Sequence, residues 1–241
     1  MKVGIFGDSF GVEGKNPITE TSKPWFFYLK DQHEVHNFCC SGTSLYYAYD
    51  RYLNQKDQNF DKVIFLVTSV GRLSIITEPF EHGYSNQVTH YEHAKGLLVH
   101  AMKNKHEKRT MLYQTAVNYF LHYYDVKQEK LNHQLLLERI RQISNSLIIP
   151  NFLDSFPEER NYTCLNDISE IDYIHYHNQI PEGKNFMFYD ARHCHFNDDN
   201  NKIFGQCILE WIDNGHWNLD LSKYQKPVEP VNYYMVDNFC Q

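Results

Sequence analysis

The chain has 241 residues and a mass of 28.8 kDa, enough for one α/β domain with insertions around a buried core. Its 42% hydrophobic and 22% charged residues exclude a disordered, collagen-like or coiled-coil protein. The net charge of −7 argues against nucleic acid as a partner. No apolar run reaches the roughly 18 residues of a membrane span, and the N-terminus lacks a signal-peptide core, so we expect a cytoplasmic protein.

Three short apolar segments in the first seventy residues are predicted to be buried strands. Residues 2–6 and 34–38 are rich in β-branched and aromatic side chains, and a helix beginning near Pro24 is predicted between them. Residues 61–68 form a continuous apolar run, which is typical of a strand covered on both faces in a parallel sheet.

The rest of the chain alternates predicted helices with two further strands. Residues from about 80 to 145 have helical spacing and are interpreted as an inserted helical subdomain. Strands are predicted at 147–152 and 186–189, followed by a helix over 198–212 and a surface tail from about 215. Together these elements predict a single α/β domain over residues 1–241 with a five-stranded, doubly wound parallel sheet.

Polar turns follow four of the predicted strands, where a parallel α/β sheet binds its ligands. These turns are Gly7-Asp8-Ser9, Ser41-Gly42, Ser69 to Arg72, and Asp190 to His195. Their convergence on one edge of the sheet predicts a functional site.

The turns contain the groups that nucleophilic catalysis by serine requires: a nucleophile, a base within reach and a group that orients the base. Ser9 is the candidate nucleophile, although a polar turn would also explain it. His195 is the candidate base, with an exposed turn residue as the simpler interpretation, and Asp190 is placed to orient it.

Motifs spread over nearly the whole chain carry a resemblance to a known family. They are Gly7-Asp8-Ser9, Trp25 with Leu29, Asn37 with Gly42, and His195-Phe196-Asn197 with Asn200 and Ile203. Together they resemble the SGNH/GDSL hydrolase family, with the segment from about 80 to 145 as an insertion.

This resemblance implies a flavodoxin-like three-layer α/β/α sandwich and a Ser-His-Asp triad that needs no metal or other cofactor. It also implies an oxyanion hole shared by the backbone N–H groups of Ser9 and Gly42 and a third donor. The implied function is a serine esterase that acts on a small acyl ester or an O-acetylated glycan.

The third motif departs from the family pattern, because the usual Gly-x-Asn-Asp is replaced by Thr68-Ser69-Val70-Gly71-Arg72. Ser69 or Arg72 is expected to replace the missing asparagine as oxyanion donor. Arg72 would also suit a substrate carboxylate or phosphate, so we assign substrate binding to Arg72 and Asp8. The Thr-Ser-x-x-Arg pattern resembles divergent, phage-type members, and a virion-associated location is implied if the chain is viral.

The last motif departs from the usual Asp-x-x-His spacing. Literal spacing pairs Asp190 with His193, whereas the residues that follow fit His195 as the base and put Arg192 at the aspartate position. We favour His195, either oriented by Asp190 across two extra residues or acting with Ser9 as a dyad.

Two other interpretations compete with the esterase. Without the asparagine, the domain would be an inactive module that binds a carbohydrate or a protein, and the aromatic residues 113–124 would either cap the serine or form the core of the insertion. Histidine pairs such as 90/93, 175/177 and 193/195 have spacings that metal ligands use, but without partners at a diagnostic spacing we expect no metal.

Overall fold

The computed structural model describes residues 1–12, 23–40, 43–72, 91–159, 162–168, 196 and 198–224. At its centre is a four-stranded parallel sheet in the order β2-β1-β3-β4. Its strands are β1 (Lys2–Phe6), β2 (Glu34–Asn37), β3 (Lys62–Val67) and β4 (Ser146–Pro150). These strands confirm the predicted parallel α/β architecture, whereas the fifth strand predicted at 186–189 lies outside the described residues.

The helices connect these strands and extend from the last one. They are α1 (Phe27–Lys30), α2 (Leu45–Gln55), α3 (Tyr91–Lys103), α4 (Glu107–His122), α5 (Val126–Arg141) and α6 (Asp198–Asn214). Short 3₁₀ helices cover Ser9–Gly11, Lys56–Gln58 and Leu221–Lys223, and residues 165–168 are helical. No helix within these described ranges is both long and apolar enough to cross a bilayer.

The sheet is covered on both faces because alternate strand residues point in opposite directions. On one face, residues such as Ile5 and Leu66 form a core with the segment around α1 and with α6. On the other face, Phe6 and Phe65 pack with α2 and α5. The result is a three-layer α/β/α arrangement.

Helices α3 and α4 form a hairpin with a separate small core. That core contains Ala94, Ala101, Tyr113, Ala116 and Val117. By contrast, α5 packs against the sheet through Leu137 and Ile140. We therefore place α5 with the sheet layers, although the sequence analysis included it in the insertion that ends near residue 145.

The first α-helix begins later than the predicted start near Pro24, because the chain from Pro24 onward makes i→i+3 hydrogen bonds before α1 begins. The apolar residues of this segment are nevertheless buried: Trp25, Phe26 and Leu29 have no exposed surface. The sequence therefore located this segment but not the residue at which its regular helix begins.

Close contact between β1 and β3 predicts a large difference between two glycine substitutions. A Cβ atom at Gly7 would lie 2.5 Å from the Cβ of Leu66 and 2.9 Å from its carbonyl oxygen. We expect Gly7→Ala to lower the free energy of unfolding by about 1–3 kcal/mol, since the backbone of β3 would have to move. Urea unfolding measures this loss.

Gly96→Ala is the matched control, because a Cβ there meets no atom within 4 Å and the position is inside α3. Helix propensity predicts a gain of up to about 1 kcal/mol for this change. Equal effects at the two positions would show that the contact between Gly7 and Leu66 does not limit the packing of the sheet.

Candidate functional site

The carboxyl ends of β1 and β3 lie side by side where the chain connections diverge, since β1 leads to β2 on one side and β3 leads to β4 on the other. In open α/β sheets this switch point is where ligands bind. Pairing of Phe6 with Phe65 brings the segments that contain Ser9 and Ser69 to the same edge. Within the described residues, the structure therefore brings together the predicted turns after β1 and β3.

Ser9 begins the 3₁₀ helix that follows β1, and its turn is fixed by several hydrogen bonds. Asp8 caps this helix, its Oδ1 accepting from the backbone N–H of Phe10 at 3.2 Å. The Trp25 indole donates to the Phe10 carbonyl at 2.8 Å, and the Asn37 amide donates to the Gly11 carbonyl at 2.6 Å. Two residues of the family-like motifs thus hold the turn that presents the partly exposed Ser9.

Asp8 is completely buried and forms an ion pair with Arg72. Its Oδ2 lies 3.1 Å from Nη1 of Arg72, whose side chain is only 11% exposed and whose guanidinium stacks 4.9 Å above the ring of Phe152. Its Oδ1 also accepts a hydrogen bond of 2.6 Å from the Asn151 amide. Both carboxylate oxygens therefore bond protein groups, and the ion pair joins the turn after β1 to the loop after β3.

Asn151 is a site residue that the sequence analysis missed. It follows β4, is fully buried, and donates to Asp8, while its own Oδ1 has no hydrogen-bond partner among the described residues. The neighbouring Thr68 hydroxyl, at the end of β3, is likewise buried and finds no partner in the part of the chain that the structure describes. A polar residue inside the apolar run 147–152 was the signal in the sequence.

Several predicted site residues lie outside the described residues: Gly42, Asp190, Arg192, His193 and His195. The segments on either side of Gly42 are described, and both bond to the same carbonyl. The backbone N–H of Cys40 and the hydroxyl of Thr43 donate to the carbonyl oxygen of Gly7, each at 3.0 Å. The chain around Gly42 is thus attached to the turn two residues before Ser9.

A pocket of about 580 Å³ adjoins this edge of the sheet. It is lined by residues 44–46 at the start of α2, by Ser69, Gly71 and Arg72, and by the part of α5 between Glu129 and Arg139. Ser9 is not one of its lining residues. The pocket therefore extends from the loop after β3 towards α5, and its volume suits a small-molecule ligand.

The aromatic residues between 113 and 124 divide between core and site. Tyr113 is buried in the core of the α3–α4 hairpin, whereas Tyr123 is 77% exposed. Tyr124 reaches the pocket loop, since a Cβ atom at Gly71 would overlap its hydroxyl, and Gly71 adopts a left-handed φ of 80°. A glycine at this position permits both the turn and the close approach of the tyrosine.

His133 is a buried histidine of α5 that the sequence analysis did not consider. Its Nε2 lies 2.8 Å from the carbonyl oxygen of Ser155, and because a carbonyl only accepts, Nε2 carries the hydrogen. Burial lowers the pKa of His133 below the usual value of 6.5, against smaller opposing effects of the Ser155 carbonyl and the charge of Asp154.

This lowered pKa predicts a dependence of stability on pH. Below the pKa of an unfolded histidine, the unfolded chain binds more protons at this site than the folded chain, so protonation favours unfolding. We expect the free energy of unfolding to fall as the pH decreases from about 6.5 towards the folded-state pKa of His133. Above about pH 6.5 His133 is neutral in both the folded and the unfolded chain, so its protonation no longer lowers the free energy of unfolding.

Urea unfolding at a series of pH values tests this expectation. His133→Gln removes the titrating group but keeps an amide that can donate to Ser155, so its stability should fall less in acid than that of the wild type. His122→Gln, at an exposed position at the end of α4, is the matched control for the substitution. Parallel pH profiles for wild type and His133→Gln would contradict the prediction.

Within the described part of the chain, no three His, Cys, Asp or Glu side chains are grouped so that they could hold a metal ion. The histidine pairs 175/177 and 193/195 and the side chains of the pair 90/93 lie outside that part. No model of a known protein family matches the sequence, and no curated protein matches it either. The functional proposal therefore rests on the motifs and on the geometry around Ser9.

Proposed function

We propose that the protein is a serine hydrolase of the SGNH type that cleaves a small acyl ester or an O-acetylated glycan. The observation that carries the proposal is the position of Ser9 at the carboxyl end of β1, beside β3 at the switch point of the sheet. Hydrogen bonds hold the turn that contains it. The strand order β2-β1-β3-β4 agrees with the first four strands of a flavodoxin-like sheet and supports the three-layer sandwich of this family.

In the proposed reaction, the Ser9 hydroxyl attacks the ester carbonyl while His195 accepts its proton, with Asp190 orienting the imidazole. His195 then gives the proton to the departing alcohol, which leaves an acyl group on Ser9. Water attacks this acyl-enzyme with the same histidine as base, which releases the acid and restores the serine. No metal or cofactor takes part in these steps.

Hydrogen-bond donors near Ser9 are proposed to stabilise the negative charge that develops on the carbonyl oxygen. The backbone N–H groups of Ser9 and Gly42 supply two of them, which is supported by the two bonds that attach the chain around Gly42 to Gly7. We assign the third to Ser69, which follows β3 at the same edge of the sheet as Ser9.

Asp8 is better suited to a positioning role than to the substrate contact that we expected from the sequence. Both of its oxygens bond protein groups, and it is fully buried. Arg72 lines the pocket and retains further N–H donors, so it stays a candidate for substrate binding.

The alternative proposal is an inactive SGNH-like module that binds a carbohydrate or a protein. It is favoured by the replacement of the family's asparagine, since loss of one oxyanion donor costs about 2.7–4 kcal/mol of transition-state stabilisation. The Asn151 side chain does not replace the missing oxyanion donor, because its amide N–H donates to Asp8.

Hydrolysis of p-nitrophenyl acetate and butyrate by the wild type and by variants distinguishes the two proposals. We expect Ser9→Ala to lower kcat/KM on the order of 10⁴-fold and Ser69→Ala about 10²–10³-fold. Ser222→Ala, at an exposed serine of the last 3₁₀ helix, is the matched control and should keep the wild-type rate. Equal rates in wild type and Ser9→Ala would favour the binding module.

A further inference from the structure

The pocket beside α5 contains one hydrogen-bond acceptor whose orientation is fixed by the protein. His133 donates from Nε2 to the carbonyl of Ser155, so its Nδ1 carries a lone pair on the other side of the ring. Within the described residues Nδ1 makes no hydrogen bond. It is not one of the unpaired polar atoms that are shielded from solvent, so part of its surface is accessible. Since His133 lines the pocket, its Nδ1 is available to a ligand there.

The charges around the pocket favour a neutral ligand. Arg72 is neutralised by Asp8 at 3.1 Å, which leaves one acidic and one basic side chain, Glu129 and Arg139, among the lining residues that the structure describes. Glu129 also accepts a hydrogen bond of 3.2 Å from the Tyr119 hydroxyl. A phosphate or a polyanion would need an excess of positive charge that these residues do not supply.

The remaining lining groups suit a ligand that is polar at its edge and apolar on its face. Ser69 and Asn132 can each donate or accept a hydrogen bond, which matches a hydroxyl group, itself both donor and acceptor. Leu135 and the ring of Tyr46 are 57% and 60% exposed and provide apolar surface at the same pocket. Sugar rings combine hydroxyl edges with C–H faces in this way.

We propose that this pocket binds a neutral, polyhydroxylated ligand of one or two sugar rings, and that His133 recognises it by accepting a hydrogen bond from a ligand hydroxyl at Nδ1. This inference deepens the proposed function, because the ligand would be the alcohol part of the ester substrate. Binding itself does not require Ser9, so it can be measured without turnover.

The test uses Ser9→Ala protein labelled with ¹⁵N-histidine and three probes: cellobiose, N,N′-diacetylchitobiose and digalacturonic acid. Binding is followed by ligand-observed NMR and calorimetry, and the Nδ1 resonance of His133 is followed directly. We expect at least one neutral disaccharide to bind, to shift that resonance, and to bind at least about 10-fold more weakly once His133→Phe is added. His122→Phe, at an exposed histidine of α4, should not change the affinity.

His133→Phe leaves the Ser155 carbonyl without its donor, so the resonance shift in protein with the native histidine provides evidence that does not depend on how the variant folds. Failure of both neutral disaccharides to bind, or binding that leaves the Nδ1 resonance unmoved, would overturn the proposal. Binding of digalacturonic acid more than about 10-fold tighter than either neutral disaccharide would overturn the assignment of a neutral ligand. Sugar binding through His133 without ester hydrolysis by the wild type would refute the proposed esterase and leave this site standing.

Discussion

Replacement of Asp8 by alanine is expected to lower the free energy of unfolding by about 3–5 kcal/mol, as breaking a buried ion pair does. The Asp8 side chain is 1% exposed and that of Arg72 is 11% exposed, so the change leaves a guanidinium charge with little access to water. It also removes the acceptor for Asn151 and the cap of the turn that carries Ser9. We therefore expect esterase activity to be lost together with stability.

An exposed ion pair provides the matched control for this prediction. Glu138 pairs with Arg141 at 2.8 Å, but their side chains are 62% and 40% exposed, and Arg141 also contacts Glu159. Glu138→Ala should cost no more than about 1 kcal/mol. Urea unfolding of the two variants gives the comparison, and similar losses would show that the pair of Asp8 and Arg72 is not a buried structural contact.

A double variant separates loss of the pair from exposure of an uncompensated charge. Asp8→Ala with Arg72→Met removes both charges and should regain part of the stability lost in Asp8→Ala alone. If Arg72→Met lowers the free energy of unfolding as much in Asp8→Ala as it does in the wild type, the two side chains do not act together.

The second large effect is expected for the proposed catalytic base. His195→Ala should lower kcat/KM for p-nitrophenyl acetate on the order of 10⁴-fold, because without the base the Ser9 hydroxyl is a weak nucleophile. Groups that act as one unit have non-additive effects, so the Ser9→Ala/His195→Ala double variant should be about as slow as either single variant. Steady-state rates of the four proteins measure this directly.

His193→Ala is the control that decides the register of the last motif. We expect it to keep wild-type activity, since His195 is the base in the favoured alignment. A large loss in His193→Ala with none in His195→Ala would establish the literal Asp190/His193 spacing instead. If neither change lowers the rate, the proposed triad is wrong.

The sheet could be predicted from the sequence because its signals are local. Alternation and continuous apolar runs located the described strands to within one or two residues, and the parallel arrangement follows from the helical material between them. The polar turns at the strand ends followed directly from those strands. The predicted meeting of Ser9 and Ser69 at one edge of the sheet required only this topology.

The network around Asp8 could not be predicted in the same way. Its contacts join Asp8 to Arg72 and to Asn151, which lie 64 and 143 positions away along the chain. Neither spacing corresponds to a helix or a strand period, so only tertiary structure reveals that the Asp8 carboxylate is engaged by the protein.

The packing of α5 shows the same limit for apolar spacing. Leu131 and Leu135 share the helical spacing of the apolar residues before residue 145, but they are 54% and 57% exposed. The sheet instead covers Leu137 and Ile140. A helical period locates the helix, but which element it covers depends on the rest of the fold.

Covalent labelling of Ser9 tests the proposed hydrolase most directly. The wild type is treated with a fluorophosphonate, digested, and analysed by mass spectrometry to locate the modified residue. We expect one adduct per chain, on the peptide that contains Ser9, and no adduct in Ser9→Ala or His195→Ala. An unlabelled wild type, under conditions that label an established serine hydrolase, or equal labelling of wild type and Ser9→Ala, would contradict the assignment of Ser9 as the nucleophile.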